Sequence, residues 1–485
     1  MGKMNDFRIL PVLKILSFIL FILSLITFTL PLFYSVYMED QEILCYIVPI
    51  FITLFFYSIL IPVKTVKLSE KEALFIAVSI WFIFPLLTTL SYELSGYIHD
   101  PIDSYFESVS GFTTTGASIL TDIEELPESL LLLRSITNWV GGVGFVVLAV
   151  SFLSTRMPVG RAIVKFESSK IIEERVEPRV KEVSKIVISV YLMLTIVQII
   201  LLLLTGCNFY DAVTFTFSTV ATGGFAPYNA SVSALHNVYA EIIIAFFMFL
   251  GAVNLQLYYT AFKTRSVKKF FTDSEVVVYT GLILFSTAFA TFILYETNTY
   301  NSFSESLRYG LFQIVSAATT TGFSTADYTN WHPSILALMM IITLIGAVGG
   351  STGGGIKIFR LIFIFKIVAG EIKRIIHPKI VYKPYIKGKP LDISAVNTFW
   401  AFLSLYLFSL LFFGFILTIG GHDLTTSFSA SIACITSLGP GLGEVGPASN
   451  FSSFSDFEKL MLSFEMIFGR LEIIPVISFL FVRNL

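Results

Sequence analysis

Four short strings hold the residues best suited to chemistry in this chain. They are Thr113, Thr114, Thr115 and Gly116; Val220, Ala221, Thr222 and Gly223; Thr319, Thr320, Thr321 and Gly322; and Thr436, Ser437, Leu438 and Gly439. Each closes a small, hydroxyl-rich stretch on a glycine, and the glycines recur at intervals of 107, 99 and 117 residues. Glycine admits backbone angles that aim successive carbonyls to one side. Rings of carbonyl oxygens can replace the hydration shell of an alkali cation. Four such turns around one axis would therefore make a cation filter. A single TTTG string carries little weight. Four of them in step with the apolar pattern indicate a repeated unit.

A second unusual string is GAVGGSTGGGIKIFR at 346–360. Glycine costs about 1 kcal/mol against alanine inside a helix, so Gly346, Gly349, Gly350, Gly353, Gly354 and Gly355, with Ser351 and Thr352 among them, predict a break in an apolar helix. A phosphate-binding loop needs a Lys-Ser or Lys-Thr pair after its last glycine, between strand and helix. Here Lys357 is followed by Ile358, and the flanks are apolar. A helix-packing motif accounts for two small residues four apart, not for this density. Two readings remain: a mobile plug across the pore, or a plain structural kink. Arg470, in MIFGRLEIIP, lies deep in the last apolar run, where a charge must pair or face water. It could pair with Glu465 or Glu472, hold the carbonyls of a filter turn, or form an electrostatic barrier.

The elements that must position these residues are helices in a membrane. The chain has 485 residues, 55% hydrophobic and only 14% charged, with a mean hydropathy of +0.80. Segments long enough to span a bilayer core of about 20 residues are 12–34, 43–62, 73–95, 130–153, 184–205, 237–262, 275–295, 331–368, 392–419 and 458–482. Between them lie shorter segments, 102–112, 209–219, 303–318 and 423–435, each leading into a glycine turn. These read as re-entrant half-membrane helices whose negative C-terminal ends point toward the membrane centre, which suits a cation. Glu107, Asp211, Glu305 and Asp423 sit toward their outer ends, either to attract cations or to cap the helices.

Charge placement orients the chain. The amino terminus, 64–72, 156–185, 263–269, 357–389 and Arg483 together carry 28 of the 32 basic residues, whereas the opposite loops carry only Arg308. By the positive-inside rule the basic side is cytoplasmic. Both termini then lie inside, and the filter turns open outside. The basic stretch 156–185 suits a membrane-surface helix or a docking site for a cytosolic partner. A net charge of -2 gives no sign of a nucleic-acid partner. Three cysteines and five histidines lack metal-ligand spacing, and no catalytic constellation is present. The expected fold is an all-α polytopic membrane protein of ten spans, one of them broken. An N-terminal two-helix extension (1–68) precedes four span–pore helix–span repeats at 69–182, 183–272, 273–390 and 391–485. An alternating-access carrier for an organic solute would show more ionisable groups within its spans.

SGFTTTGAS at 110–118, ATGGF at 221–225, TTTGFS at 319–324, LGPGLG at 438–443, WVGGVG at 139–144 and GRLEI at 469–473 resemble signatures of the TrkH/KtrB superfamily of potassium transport proteins. The two spans ahead of the first repeat are similar to its TrkH branch. The resemblance implies potassium uptake through a gated pore at the cytoplasmic (inner) membrane. It also implies a mobile intramembrane loop, matched by GGSTGGGIK at 349–357, and a last-span arginine near it, matched by Arg470. Members form homodimers and associate with cytosolic TrkA-like nucleotide-binding subunits. Nothing here resembles a nucleotide-binding domain, so no cofactor is expected in this chain. The fourth turn, with Ser437 and Leu438, departs from the threonine-rich pattern and weakens the case for strict potassium selectivity. Sodium- or proton-coupled symport through the same pore is the alternative.

Overall fold

The computed structural model describes residues 7–66, 68–154, 176–266, 268–377, 385–386, 389–390 and 393–480. Apart from one pair of two-residue strands, Tyr385–Ile386 and Lys389–Pro390, its regular elements are helices. Six are long and apolar enough to cross a membrane, or seven if one bent pair counts as a single span. The first two, α1 (Ile9–Met38) and α2 (Ile43–Leu60), pair with each other and leave many large apolar side chains exposed, as lipid-facing helices do.

Four short helices form the inner layer: α4 (Pro101–Phe112), α7 (Phe209–Val220), α12 (Phe303–Thr319) and α16 (Leu424–Thr436). Each starts where a side chain takes up unpaired backbone amides. Asp100 accepts from Ile102 and Asp103, Asn208 from Asp211, Ser302 from Glu305, and Asp423 from Thr425 and Thr426. Glu305 is thus a first-turn residue, whereas Asp423 is itself a cap. Other helices surround them: α3 (Glu70–Ser95), α5 (Glu128–Ser154), α6 (Val176–Leu204), α8 (Val238–Gly251), α11 (Ser274–Glu296), α13 (Pro333–Ile345), α15 (Ile393–Ile419) and α17 (Asp456–Leu471). The packing closes on itself. Helix α5 lies on α7, α8 on α12, α13 on α16, and α17 returns to α4.

Three of the expected spans are interrupted. The run 237–262 is bent by 88° between α8 and α9 (Leu255–Lys263). At the bend, Asn254 turns its side chain to cap the amide of Gln256, so the chain restarts instead of continuing. The run 458–482 breaks at Glu472, with φ of 62°, before α18 (Ile473–Leu480). The glycine string leaves helix at Gly346 as expected, but helix resumes only at Ile358, in α14 (Ile358–Ile376). Most of the basic stretch 156–185, including Lys165, Lys170 and Arg175, falls outside the described residues.

Candidate functional site

All four short helices end in the same way. In each, a single residue within two positions of the helix end turns left-handed: Thr114 (φ 56°), Thr222 (52°), Thr320 (55°) and Ser437 (59°). The amide of the next residue then reaches back five positions. Thr115 donates to Ser110 (2.9 Å), Gly223 to Ser218 (2.8 Å), Thr321 to Ser316 (2.9 Å) and Leu438 to Ala433 (2.8 Å). This is a Schellman ending, normally built on glycine at the left-handed position. A non-glycine residue there costs about 1 kcal/mol or more, so the cost is incurred four times.

The following residue is a glycine of positive φ in every turn: Gly116 (81°), Gly224 (77°), Gly322 (86°) and Gly439 (94°). Aligning the strings by their first glycine pairs Gly223 with Gly116. The backbone instead pairs Gly224 with it, and Gly223 stands level with Thr115, Thr321 and Leu438. The second turn is thus Ala221 to Gly224, and Val220 is the last residue of its helix.

These glycines close a ring. A Cβ on Gly116 would overlap the carbonyl oxygen of Gly223, one on Gly224 that of Thr321, and one on Gly322 that of Leu438. One on Gly439 would lie 2.7 Å from the carbonyl oxygen of Thr115, which completes the circuit. Only glycine lets neighbouring backbones approach so closely. All four glycines line one cavity of about 140 Å³. Hydroxyl pairs brace two of the turns, Thr113 with Thr115 (2.8 Å) and Thr319 with Thr321 (2.7 Å). The other two have Ala221 with Gly223, and Thr436 with Leu438, at the same places, so the ring is not fourfold in its chemistry.

The glycine string lies against the helix-end side of this ring. The Thr352 hydroxyl bonds to the carbonyls of Val220 (3.1 Å) and Gly251 (3.0 Å) and to the Thr222 hydroxyl (3.2 Å). The amide of Gly354 donates to the Thr320 hydroxyl (2.7 Å). A Cβ on Gly354 would overlap the carbonyl oxygen of Thr436, and one on Gly353 would come within 2.9 Å of that of Thr319. The string therefore touches the ends of three short helices. Val348 and Thr352 donate to the carbonyls of Ala252 and Gly251, and Leu255 donates to that of Gly350. Those are backbone groups that the bend between α8 and α9 leaves without helical partners. Gly349 donates to buried Glu275 (3.3 Å).

Arg470 donates to the carbonyl of Thr352 at 2.7 Å, in the glycine string. Of the carboxylates weighed as its partners, Glu472 bridges Arg360 and Glu465 accepts from Ser431. Glu107 does not sit at an outer helix end. It is the seventh residue of α4, fully buried, and pairs with Arg134 at 2.8 Å. Sequence reasoning passed over Arg134, although an arginine in the apolar run 130–153 was the available signal. Asp211 is nearly buried and accepts from the Tyr228 hydroxyl at 2.8 Å. Among the described residues no group of His, Cys, Asp and Glu could hold a metal ion.

A family model described as TrkH, cation transport protein, matches residues 50–483. The chain belongs to the TrkH family of cation transport proteins. Its TrkH-family relatives include the Trk system potassium uptake protein TrkH of Halomonas elongata, 32% identical over 96% of this chain and 97% of that one. The protein of the same description from Escherichia coli K12 is 32% identical over 85% of each chain. The crystal structure of the potassium transporter TrkH from Vibrio parahaemolyticus superposes with a TM-score of 0.88 at 29% identity, covering 98% of this chain and 99% of that one. With its apolar helices, this TrkH-family chain is a membrane protein.

Proposed function

We propose that this chain is the pore of a potassium uptake system, with the ring of four turns as its ion filter and the glycine string as its gate. The observation that carries this reading is the closed circuit in which Gly116, Gly224, Gly322 and Gly439 each meet the next turn's carbonyl around one cavity. Non-helical backbone at membrane depth persists only where it faces protein or a polar lumen. The relatives described as potassium uptake proteins support potassium as the ion.

The pore comprises ten spans in four fused units, 69–182, 183–272, 273–390 and 391–485, after a two-helix extension at 1–68. It sits in the cytoplasmic membrane with both termini inside and the cavity open to the outside. The inward potential drives uptake, worth about 2.3 kcal/mol per charge at 100 mV. The string 346–355, held through Thr352 by Arg470, is the closed gate. The chain works as a homodimer, carries no cofactor, and is regulated by a separate TrkA-like subunit that binds the nucleotide.

Reconstitution tests this. Purified protein in vesicles loaded with potassium should take up rubidium down an electrical gradient, and sodium should compete poorly. Vesicles that stay impermeable to both ions with and without the cytosolic partner would refute the reading.

A further inference from the structure

Arg134 and Glu107 form a buried ion pair, 1% and 0% exposed, and Arg134 lines the cavity that the four glycines share. The pair holds the outgoing segments of two adjacent turns. Glu107 accepts from the Ser118 hydroxyl (3.1 Å) and the Ile119 amide (3.0 Å), just after Gly116. Arg134 donates to the carbonyl of Ala226 (3.1 Å), just after Gly224, and its guanidinium lies 4.1 Å from the ring centre of Phe225. One salt bridge thus joins turn one to turn two beside the contact between Gly116 and the Gly223 carbonyl.

At the matching positions the other three units carry no such pair. Counting from the turns and from the glycines that follow on the next helix, the matching positions are Phe215 and Ile244, Gln313 and Met339, and Ala430 and Leu462, all buried. Uncharged side chains fill the same space there, so packing alone does not require a charge. The charges cancel, which lets an arginine line a cation's path without repelling it.

We propose that the Arg134–Glu107 pair is a positioning element that sets the separation of the first two turns and, through it, the discrimination of potassium from sodium. This rests on the reading of the ring as a potassium filter. Ion choice depends on how ligating oxygens are held, and placements within about 0.5 Å need supporting contacts behind them.

The test uses the full chain in planar bilayers or vesicles, with potassium chloride on one side and sodium chloride on the other, reading the reversal potential. The double variant Glu107→Gln with Arg134→Met installs the residues that the third unit already buries, Gln313 and Met339, and keeps the cavity neutral. Arg134→Lys keeps the charge balance but loses the fork that spans both segments. Each should lower the potassium-to-sodium permeability ratio by about tenfold, the lower end of what a bound metal loses when the contacts behind its ligands are removed. Should the double variant fail to fold, Arg134→Lys decides alone. An unchanged ratio in the folded variants overturns the proposal while leaving the potassium pore intact. Wild-type protein that carries neither ion overturns the pore reading, and this proposal with it.

Discussion

At the scale of single residues, the turns separate two kinds of glycine that look alike in sequence. Gly224 has a positive φ, and a Cβ there would overlap the backbone carbonyl of Thr321, which cannot swing aside. Gly223 has an ordinary φ, and its added methyl would meet the side chain of Asn138. Rubidium uptake should therefore fall about tenfold or more in Gly224→Ala and by less in Gly223→Ala, because left-handed strain and backbone overlap add only in the first. The reverse order would show that the register assigned to the second turn is wrong. Thr352 invites a different substitution. Thr352→Val keeps the shape but removes the one hydroxyl proton that the Val220 and Gly251 carbonyls share, a bond that contributes about 1 kcal/mol. Basal flux without the cytosolic partner should rise. Arg470→Ala, which removes the donor to the Thr352 carbonyl, should raise it too. Basal currents matching wild type in both variants would make these contacts packing alone. The sequence made the four turns legible because their composition is distinctive. It misplaced the second by one residue, since ATGG offers two glycines and only the backbone angles tell which one turns.

At the scale of elements, the breaks in three of the helices that follow the short ones share a position. Gly251 and Gly469, like Gly141 in the unbroken α5, press on the terminal backbone of a short helix: a Cβ on them would approach the carbonyls of Val220, Ile435 and Phe112 respectively. Within three residues of Gly251 the chain bends, and within three of Gly469 it breaks. In the third unit, helix ends at Ile345. The sequence revealed the third break through its many glycines. It hid the other two, because AVN at 252–254 and RLE at 470–472 contain no glycine or proline. The bend at 252–254 arises where tertiary contacts substitute for helical bonds, through the backbone pairing of 348–352 with 251–255. The glycine string and the bend thus supply each other's hydrogen bonds. Shortening 349–354 should raise basal ion flux and leave the groups at 251–255 without partners, so amide exchange at Leu255 should quicken in the same variant. Normal flux with unchanged exchange would argue that the string is a structural kink.

At the scale of the whole molecule, the cyclic packing of α5, α8, α13 and α17 on successive short helices makes one axis from a single chain. The apolar periodicity disclosed the helices, and the basic loops gave the proposed orientation. Neither could disclose the Arg134–Glu107 pair, because its two residues lie 27 positions apart and meet only through the fold. If the pore is driven by membrane potential alone, reversal potentials in a potassium gradient should ignore an imposed pH difference. A shift with the proton gradient would reveal coupling. A last consequence follows from hydroxyl braces that occupy two turns of the four. In a channel assembled from identical subunits, every change to the filter is made four times at once. With the ring as the proposed filter, a change at one turn is made once and leaves three quarters of the ion's seat as it was. Ion preference in this architecture can therefore be adjusted in small steps, side by side with an intact majority, an option closed to a symmetric tetramer.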